Sequence, residues 1–222
     1  MVTSIAIDGP AGAGKSTIAK MLAEELGYTY LDSGAMYRVV TLCALDRDIN
    51  MNNKEKLAEL VKELEIDVEY KNNKFKIYVD SEEITERIRS NTVDNNVSTI
   101  AQIKFIREEL VKKQRRIAQL ENIVMEGRDI GTRVLPNADF KFYITATVKE
   151  RTVRRYKDII NRGEKNKDFP EVKQEIKERD KMDSNRKYSP LKKAEDAIEI
   201  DTTNLSKKEV LKKILYIIRE GK

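Results

Sequence analysis

The stretch Ile5–Thr17, IAIDGPAGAGKST, constrains the fold more than any other part of the chain. Gly9 to Ser16 fits G-x-x-x-x-G-K-[ST], a β-rich run (Val2–Asp8) precedes it, and KSTIAKMLAEEL opens a helix directly after it. A strand feeding a glycine-rich turn that opens a helix concentrates backbone N–H donors on one anion, and the helix dipole adds to the field. The expected ligand is a nucleoside triphosphate, held by Gly9, Pro10, Ala11, Gly12, Ala13, Gly14, Lys15, Ser16 and Thr17. Lys15 would reach the β- and γ-phosphates, and the Ser16 hydroxyl would face Mg²⁺.

The remaining pattern extends this into an α/β fold. Gly27 ends the first helix and YTYLDS follows as a second strand, with helices expected near 35–45 and 54–64. NIVMEG, FKFYIT and AIEID read as short buried strands, separated by polar helices near 148–162, 171–185 and 206–219. Such alternation predicts a parallel sheet covered by helices on both faces. Ile66, Val68 and Tyr70, then Phe75, Ile77 and Val79, alternate with period two around KNNK, which predicts a small antiparallel β insert. RGEKNKDFPE carries little apolar anchorage and reads as a mobile loop.

Composition narrows the function classes. The 222 residues hold no run of about 18 apolar residues that could span a bilayer, and the N-terminal residues read as a strand rather than a secretory leader. The single cysteine, Cys43, sits in an apolar helical stretch, and a cytoplasmic setting is expected. A net charge of +5 suits a cleft that holds several phosphates, and no aromatic-basic repeat points to a specific nucleic-acid partner. Histidine is absent, which removes the commonest general base and metal ligand together.

Four further stretches carry charge where an apolar pattern does not require it. In LDSGAMYR, Asp32 and Ser33 can cap the next helix, whereas Tyr37 and Arg38 place a ring beside a guanidinium, a pairing suited to a nucleoside monophosphate. In the helical run TIAQIKFIREELVKKQRRIAQL, Arg107 falls inside the stripe of Ile103, Ile106, Leu110 and Ile117; an internal ion pair, snorkelling and ligand contact all satisfy it. MEGRDIGT puts Glu126 at a strand end, where it could hold Mg²⁺ through water, followed by Arg128 and Asp129. Arg151, Arg155 and Arg162 project within about 40° of one another at helical spacing, with Arg154 flanking, and Arg179, Asp183 and Arg186 share a second face. Those two faces read either as solvated i,i+4 pairs or as cations for a transferring phosphoryl group.

A phosphate monoester acceptor, with a second pKa of about 6, is already an oxyanion at neutral pH and asks for no base. In that light GPAGAGKST, LDSGAMYR, EGRDIGT and RDKMDSNR, in this order, resemble the bacterial cytidylate kinases, nucleoside monophosphate kinases among the P-loop NTPases, over essentially the whole chain. The D-G-F-P-R segment of adenylate kinases and the Gly-Gly loop of shikimate kinases are absent. A different monophosphate kinase, a P-loop GTPase switch and a degenerate P-loop protein are the alternatives; NKDF at Asn166 does not match N-K-x-D.

The resemblance implies transfer of the γ-phosphate of ATP to CMP or dCMP, with Mg²⁺, by a monomer. It implies a core of 1–34, 100–150 and 171–222, a monophosphate-binding insert of 35–99 and a lid region of 151–170. It places Ser33, Tyr37 and Arg38 in the monophosphate site, Ser98, Arg107 and Asp129 on the cytosine edge, and Arg128 on phosphate. Asp183, oriented by Arg179 and Arg186, would take the ribose hydroxyls. Lys15, Arg128 and the lid arginines Arg151, Arg155 and Arg162 would serve the transfer, the particular lid residue being left open. Family members commonly carry Asp where this chain has Glu126.

Overall fold

Strand β1 (Ser4–Asp8) runs through the middle of the molecule, and its last four residues are buried. The structure, a computed structural model, describes residues 2–71, 74–161, 163 and 168–221. Three more strands surround β1: β2 (Thr29–Asp32), β6 (Ile123–Gly127) and β7 (Phe140–Thr145), with β8 (Ile198–Asp201) outermost. The sheet order is β2-β6-β1-β7-β8, parallel throughout. Helices flank this sheet, as its near-continuous apolar strands require.

The register sets the chemistry of one sheet edge. Ile7 pairs with Glu126, Asp8 with Gly127 and Asp32 with Glu126, so Asp32 and Glu126 stand level and Asp8 lies one residue beyond, at the carboxyl ends of three adjacent strands. In such sheets ligands collect beyond the carboxyl ends of the strands.

Helix α1 (Lys15–Leu26) starts and stops where its glycines dictate. Gly27 takes the left-handed conformation (φ 67°), and the N–H of Tyr28 donates to Ala23 O at 2.8 Å to close the helix. Asp32 caps α2 (Ser33–Asp46), its carboxylate accepting from the Ala35 amide at 3.1 Å. Helix α3 (Lys54–Glu63) then leads into the hairpin β3 (Ile66–Lys71) and β4 (Lys74–Val79), paired as the alternation predicts. Asn72 and Asn73 at its tip lie outside the described residues.

Two features of this region escape the sequence pattern. A short third strand, β5 (Glu82–Glu83), adds to β4 through a turn at Asp80 and Ser81, both at positive φ without glycine. The single helix expected from Thr99 onward is two: α4 (Asn91–Ile100), capped by Ser90, and α5 (Lys104–Ala118), with a break at Ala101–Ile103. Asn, Thr, Val and Ser are weak helix formers, and α4 is held by burial of Val93, Val97 and Ile100 at i, i+4 and i+7.

Helices α6 (Val148–Asn161) and α7 (Phe169–Ser184) pack on each other around a small core of their own, Ile159, Val172 and Ile176. Tyr156 meets Phe169 edge-on at 5.7 Å. Asp168 and Glu171 form a capping box at the start of α7. Most of the loop expected between these helices lies outside the described residues, as does Arg162. Helix α8 (Lys207–Glu220) closes the chain against α1. Among the described residues no helix is long and apolar enough to cross a membrane.

One glycine locks the loop to the sheet. Gly9 lies at φ 149°, and a Cβ there would sit 1.9 Å from Ile144 O in β7. Gly9→Ala should therefore cost about 3 kcal/mol or more. Followed by circular dichroism, the variant should melt roughly 6–12 °C below the parent chain.

Candidate active site

The phosphate loop is braced from outside by its own carbonyls. Ala11 O accepts from Arg151 at 3.1 Å, and Ala13 O accepts from Arg154 at 3.2 Å and from the Thr202 hydroxyl at 3.1 Å. Gly12 (φ 75°) and Gly14 (φ 93°) supply backbone turns that L side chains resist. No acidic residue stands in the first turn of α1, so nothing of the protein's own competes for the anion seat there. Gly12 through Thr17 line a wide, open cleft. Gly9, Pro10 and Ala11 do not line it; Pro10 instead accepts from Lys15 Nζ at 2.9 Å. Burial, then the neighbouring Arg128, pulls the Lys15 ammonium down to about 7. Glu126 and Asp8 favour its charge but do not offset that burial.

At the strand ends the carboxylates are also under strain of charge. Glu126 is buried, and its carboxyl group is pushed up by that burial and then by Asp32 alongside. Tyr30 donates to Glu126 Oε1 at 3.1 Å, and the nearby Ser16 hydroxyl favours the charged form of the same carboxylate. Among the described residues no three His, Cys, Asp or Glu side chains are grouped to hold a metal. The pair Asp32 and Glu126 with the Ser16 hydroxyl fits Mg²⁺, which takes one or two carboxylates and completes its shell with water and substrate phosphate oxygens. Asp8 has a different task. Its carboxylate accepts from the amides of Ile130 (2.8 Å) and Gly131 (2.7 Å), which fixes the EGRDIGT segment against β1, and burial raises it to about 6.

A second cleft opens beside the first. Ser33, Tyr37, Arg38, Ser98, Arg107, Arg128, Asp129, Arg179, Asp183 and Arg186, drawn from five stretches of the chain, all line it, together with Glu126 and Asp32. Arg107 pairs with Asp129 at 2.5 Å, donates to Ala101 O at 3.0 Å, and lies 5.2 Å from the Tyr37 ring centroid. The internal ion pair and the position on the cleft therefore coexist. Arg128 donates to Asp183 at 2.8 Å and Arg186 pairs with the other oxygen of that carboxylate. Burial opposes the charge on Asp183, but Arg128 and Arg186 hold it below the ordinary carboxylate range.

Positive charge remains in excess. Burial and then Arg128 lower the Arg179 guanidinium to about 10, and a guanidinium that stays protonated at neutral pH needs an anion instead. Among the described residues the Nε atoms of Arg107, Arg179 and Arg186 are buried without a hydrogen-bond partner. Three orphaned charged donors in one pocket are costly until a ligand satisfies them. Gly127 keeps the wall thin: a Cβ there would meet the Ser33 hydroxyl at 2.4 Å.

The α6 arginines divide. Arg151 is buried and held by Asp180 through two bonds of 3.0 and 2.7 Å and by Ala146 O, so it ties α6 to α7 and to the loop, and it lines neither cleft. Arg154 and Arg155 line the wide cleft, Arg154 bonded to Glu150 and Thr202. The residues that sequence reading did not single out are mostly acidic: Asp8, Asp94 and Asp180, with Tyr30 and Thr202. Only Asp8 carried a local signal, as a carboxylate closing an apolar strand that enters the loop.

The excess charge makes the ligand-free fold sensitive to simple anions. Inorganic phosphate at ~10 mM should raise the Tm of the chain by roughly 2–8 °C through binding linkage. Arg179→Met should raise the Tm without phosphate and shrink the phosphate response by at least about half. A response unchanged in this variant, read by scanning calorimetry, would place the anion elsewhere.

Comparison with known proteins agrees with this geometry. The family model described as Cytidylate kinase matches residues 5–220. The cytidylate kinase of Anoxybacillus flavithermus is 49% identical over 217 residues, covering 98% of this chain and 96% of the relative. That of Caldanaerobacter subterraneus subsp. tengcongensis is 48% identical over 221 residues, covering 100% and 96%. A crystal structure of an uncharacterised protein from Eubacterium ventriosum shares the fold, with a TM-score of 0.52 at 17% identity over 99% of both chains. With a phosphate loop, a cationic second cleft beside it and a family match along nearly its full length, this chain belongs to the cytidylate kinase family.

Proposed function

We propose that the chain transfers the γ-phosphoryl group of ATP to CMP or dCMP, giving ADP and CDP or dCDP, as an enzyme of pyrimidine nucleotide metabolism. Family membership supports the activity. The observation that carries the site assignment is the second cleft itself, where the guanidinium groups of Arg107, Arg179 and Arg186 converge, each with a buried Nε that has no hydrogen-bond partner among the described residues.

The wide cleft takes ATP. Loop amides and Lys15 cradle its phosphates, and Lys15 exchanges its bond to Pro10 O for them. The narrower cleft takes the acceptor. Arg38 and Arg128 hold its phosphate, Arg107, Asp129 and Ser98 read the cytosine edge, and Tyr37 lies against the Arg107 face. Asp183, flanked by Arg128 and Arg186 and near Arg179, accepts from the ribose hydroxyls. Mg²⁺ held by Ser16, Asp32 and Glu126 would neutralise charge on the phosphate oxygens. The acceptor needs no general base, since its phosphate is dianionic near neutral pH, and the chain has no histidine to serve as one.

In the transfer step, an acceptor phosphate oxygen attacks the γ-phosphorus in line while the bond to the ADP oxygen breaks. Lys15 and Arg128 stabilise the equatorial oxygens from the core, and Arg155, with Arg162, does so from the lid region 151–170. Arg151 contributes by position, holding α6 to α7 and the loop. The insert 35–99 and the lid close over the core of 1–34, 100–150 and 171–222 to exclude water, so that ATP is not hydrolysed. The working form is a cytoplasmic monomer.

Steady-state assays over CMP, dCMP, UMP, AMP and GMP should rank the two cytidine nucleotides first in kcat/KM; UMP or AMP ahead of them would refute the cytosine assignment. Arg107→Met should lower kcat/KM for CMP roughly 30–100-fold, the loss of ~2–3 kcal/mol of charge-assisted bonding. The KM for ATP should stay nearly constant in that variant, and equal damage to both substrates would argue against base reading. Lys15→Met should abolish transfer with an unchanged circular dichroism spectrum.

A further inference from the structure

Asp94, in the first turn of α4, stands where the two clefts meet and has no part in the roles above. Its Oδ1 touches Arg38 Nη1, and its Oδ2 lies 3.7 Å from Arg155 Nη2. Arg38 lines both clefts, while Asp94 and Arg155 line the wide one. One carboxylate thus faces a cation assigned to the acceptor phosphate and a cation assigned to the donor side.

The quality of these contacts separates Asp94 from the other acidic residues of the site. Asp180 takes two hydrogen bonds from Arg151, at 3.0 and 2.7 Å, and Asp183 takes one from Arg128 at 2.8 Å. Those are fitted pairs. Among the described residues Asp94 Oδ1 meets no donor at hydrogen-bond geometry despite its contact with Arg38, and Arg38 Nη1 donates to Ile88 O at 3.3 Å. The separation from Arg155 exceeds hydrogen-bond range. Asp94 therefore holds Arg38 by close charge contact and not through an aligned hydrogen bond, and an anion that can align with the guanidinium competes with it on favourable terms.

Carboxylate and phosphate oxygens compete for the same guanidinium groups. We propose that Asp94 is a built-in stand-in for the acceptor's phosphate. It neutralises Arg38 and Arg155 while the acceptor cleft is empty and is displaced when the monophosphate arrives. The shared carboxylate makes two events one: seating of the phosphate on Arg38 also frees Arg155 for the donor side. The phosphate of the acceptor, and not its nucleoside, carries this coupling. The proposal rests on the assignment of the second cleft to a nucleoside monophosphate.

Calorimetric titration of CMP and of cytidine into the full-length wild-type chain and Asp94→Asn tests it. Removing the competing charge should tighten CMP binding roughly three- to tenfold. Cytidine, which has no phosphate to compete, should bind both proteins alike. Asp94→Ala, equally neutral but without an amide to bond Arg38, should move CMP in the same direction, and thermal melting checks that each variant folds. CMP affinity that is unchanged or weaker in both folded variants, or cytidine affinity that shifts by the same factor as CMP, overturns the stand-in role while leaving the acceptor cleft assigned. Wild-type protein that binds no CMP overturns that assignment and the stand-in together.

Discussion

Lys15, Arg38, Arg107, Arg128, Arg179 and Arg186 crowd the carboxyl edge of β1, β2 and β6, and a folded chain tolerates that density of positive charge only with carboxylates built in among it. Asp129, Asp180 and Asp183 each meet an arginine in a direct hydrogen bond. Glu126 and Asp32 stand beside Lys15 and Arg128 in the same field. The balance is incomplete in one respect: among the described residues several guanidinium nitrogens stay buried and unbonded. Unbonded buried donors of this kind cost stability in the ligand-free fold, and under the proposed function an entering phosphate would supply the missing acceptors.

The scaffold explains how such a site stays ordered without its ligands. Parallel strands place Asp8, Asp32 and Glu126 at the carboxyl ends of adjacent strands, and the amides of Ile130 and Gly131 bond to Asp8. Tyr30 reaches Glu126 with its hydroxyl while its ring meets Tyr70 and Phe75 of the hairpin edge-on, each at 5.5 Å. Aromatic packing between insert and sheet therefore bears on the carboxylate at the strand end. The α6–α7 pair has its own small core and one bidentate tie through Arg151 and Asp180. An element with few buried apolar contacts to the main core is the one expected to move most readily.

Much of this was legible in the residue order, for reasons that differ by element. The glycine-rich loop, the Gly27 stop and the period-two hairpin rest on backbone geometry that short-range sequence determines, and each forms where its residues predict. Helix α4 was not legible, because Asn, Thr and Ser disfavour helix locally and only burial of Val93, Val97 and Ile100 overrides them. Strand β5 follows a turn whose positive-φ residues are Asp80 and Ser81, so the usual glycine signal was missing. Arg151 looked like its neighbours one and three turns on, since helical spacing does not tell which arginine meets Asp180 across a helix interface.

The sequence by itself determined that a glycine-rich loop opens α1, that an alternating α/β chain surrounds it, and which motifs carry unexplained charge. Those properties are local, depending on glycine conformations, apolar periodicity and residue identity. Only the tertiary structure decided the pairing of those charges: Arg107 with Asp129, Arg128 with Asp183, Arg151 with Asp180, and Asp94 set between Arg38 and Arg155. Partners of this kind lie tens of residues apart in the chain. Electrostatic interaction depends on distance and burial in space, which no spacing along the sequence encodes.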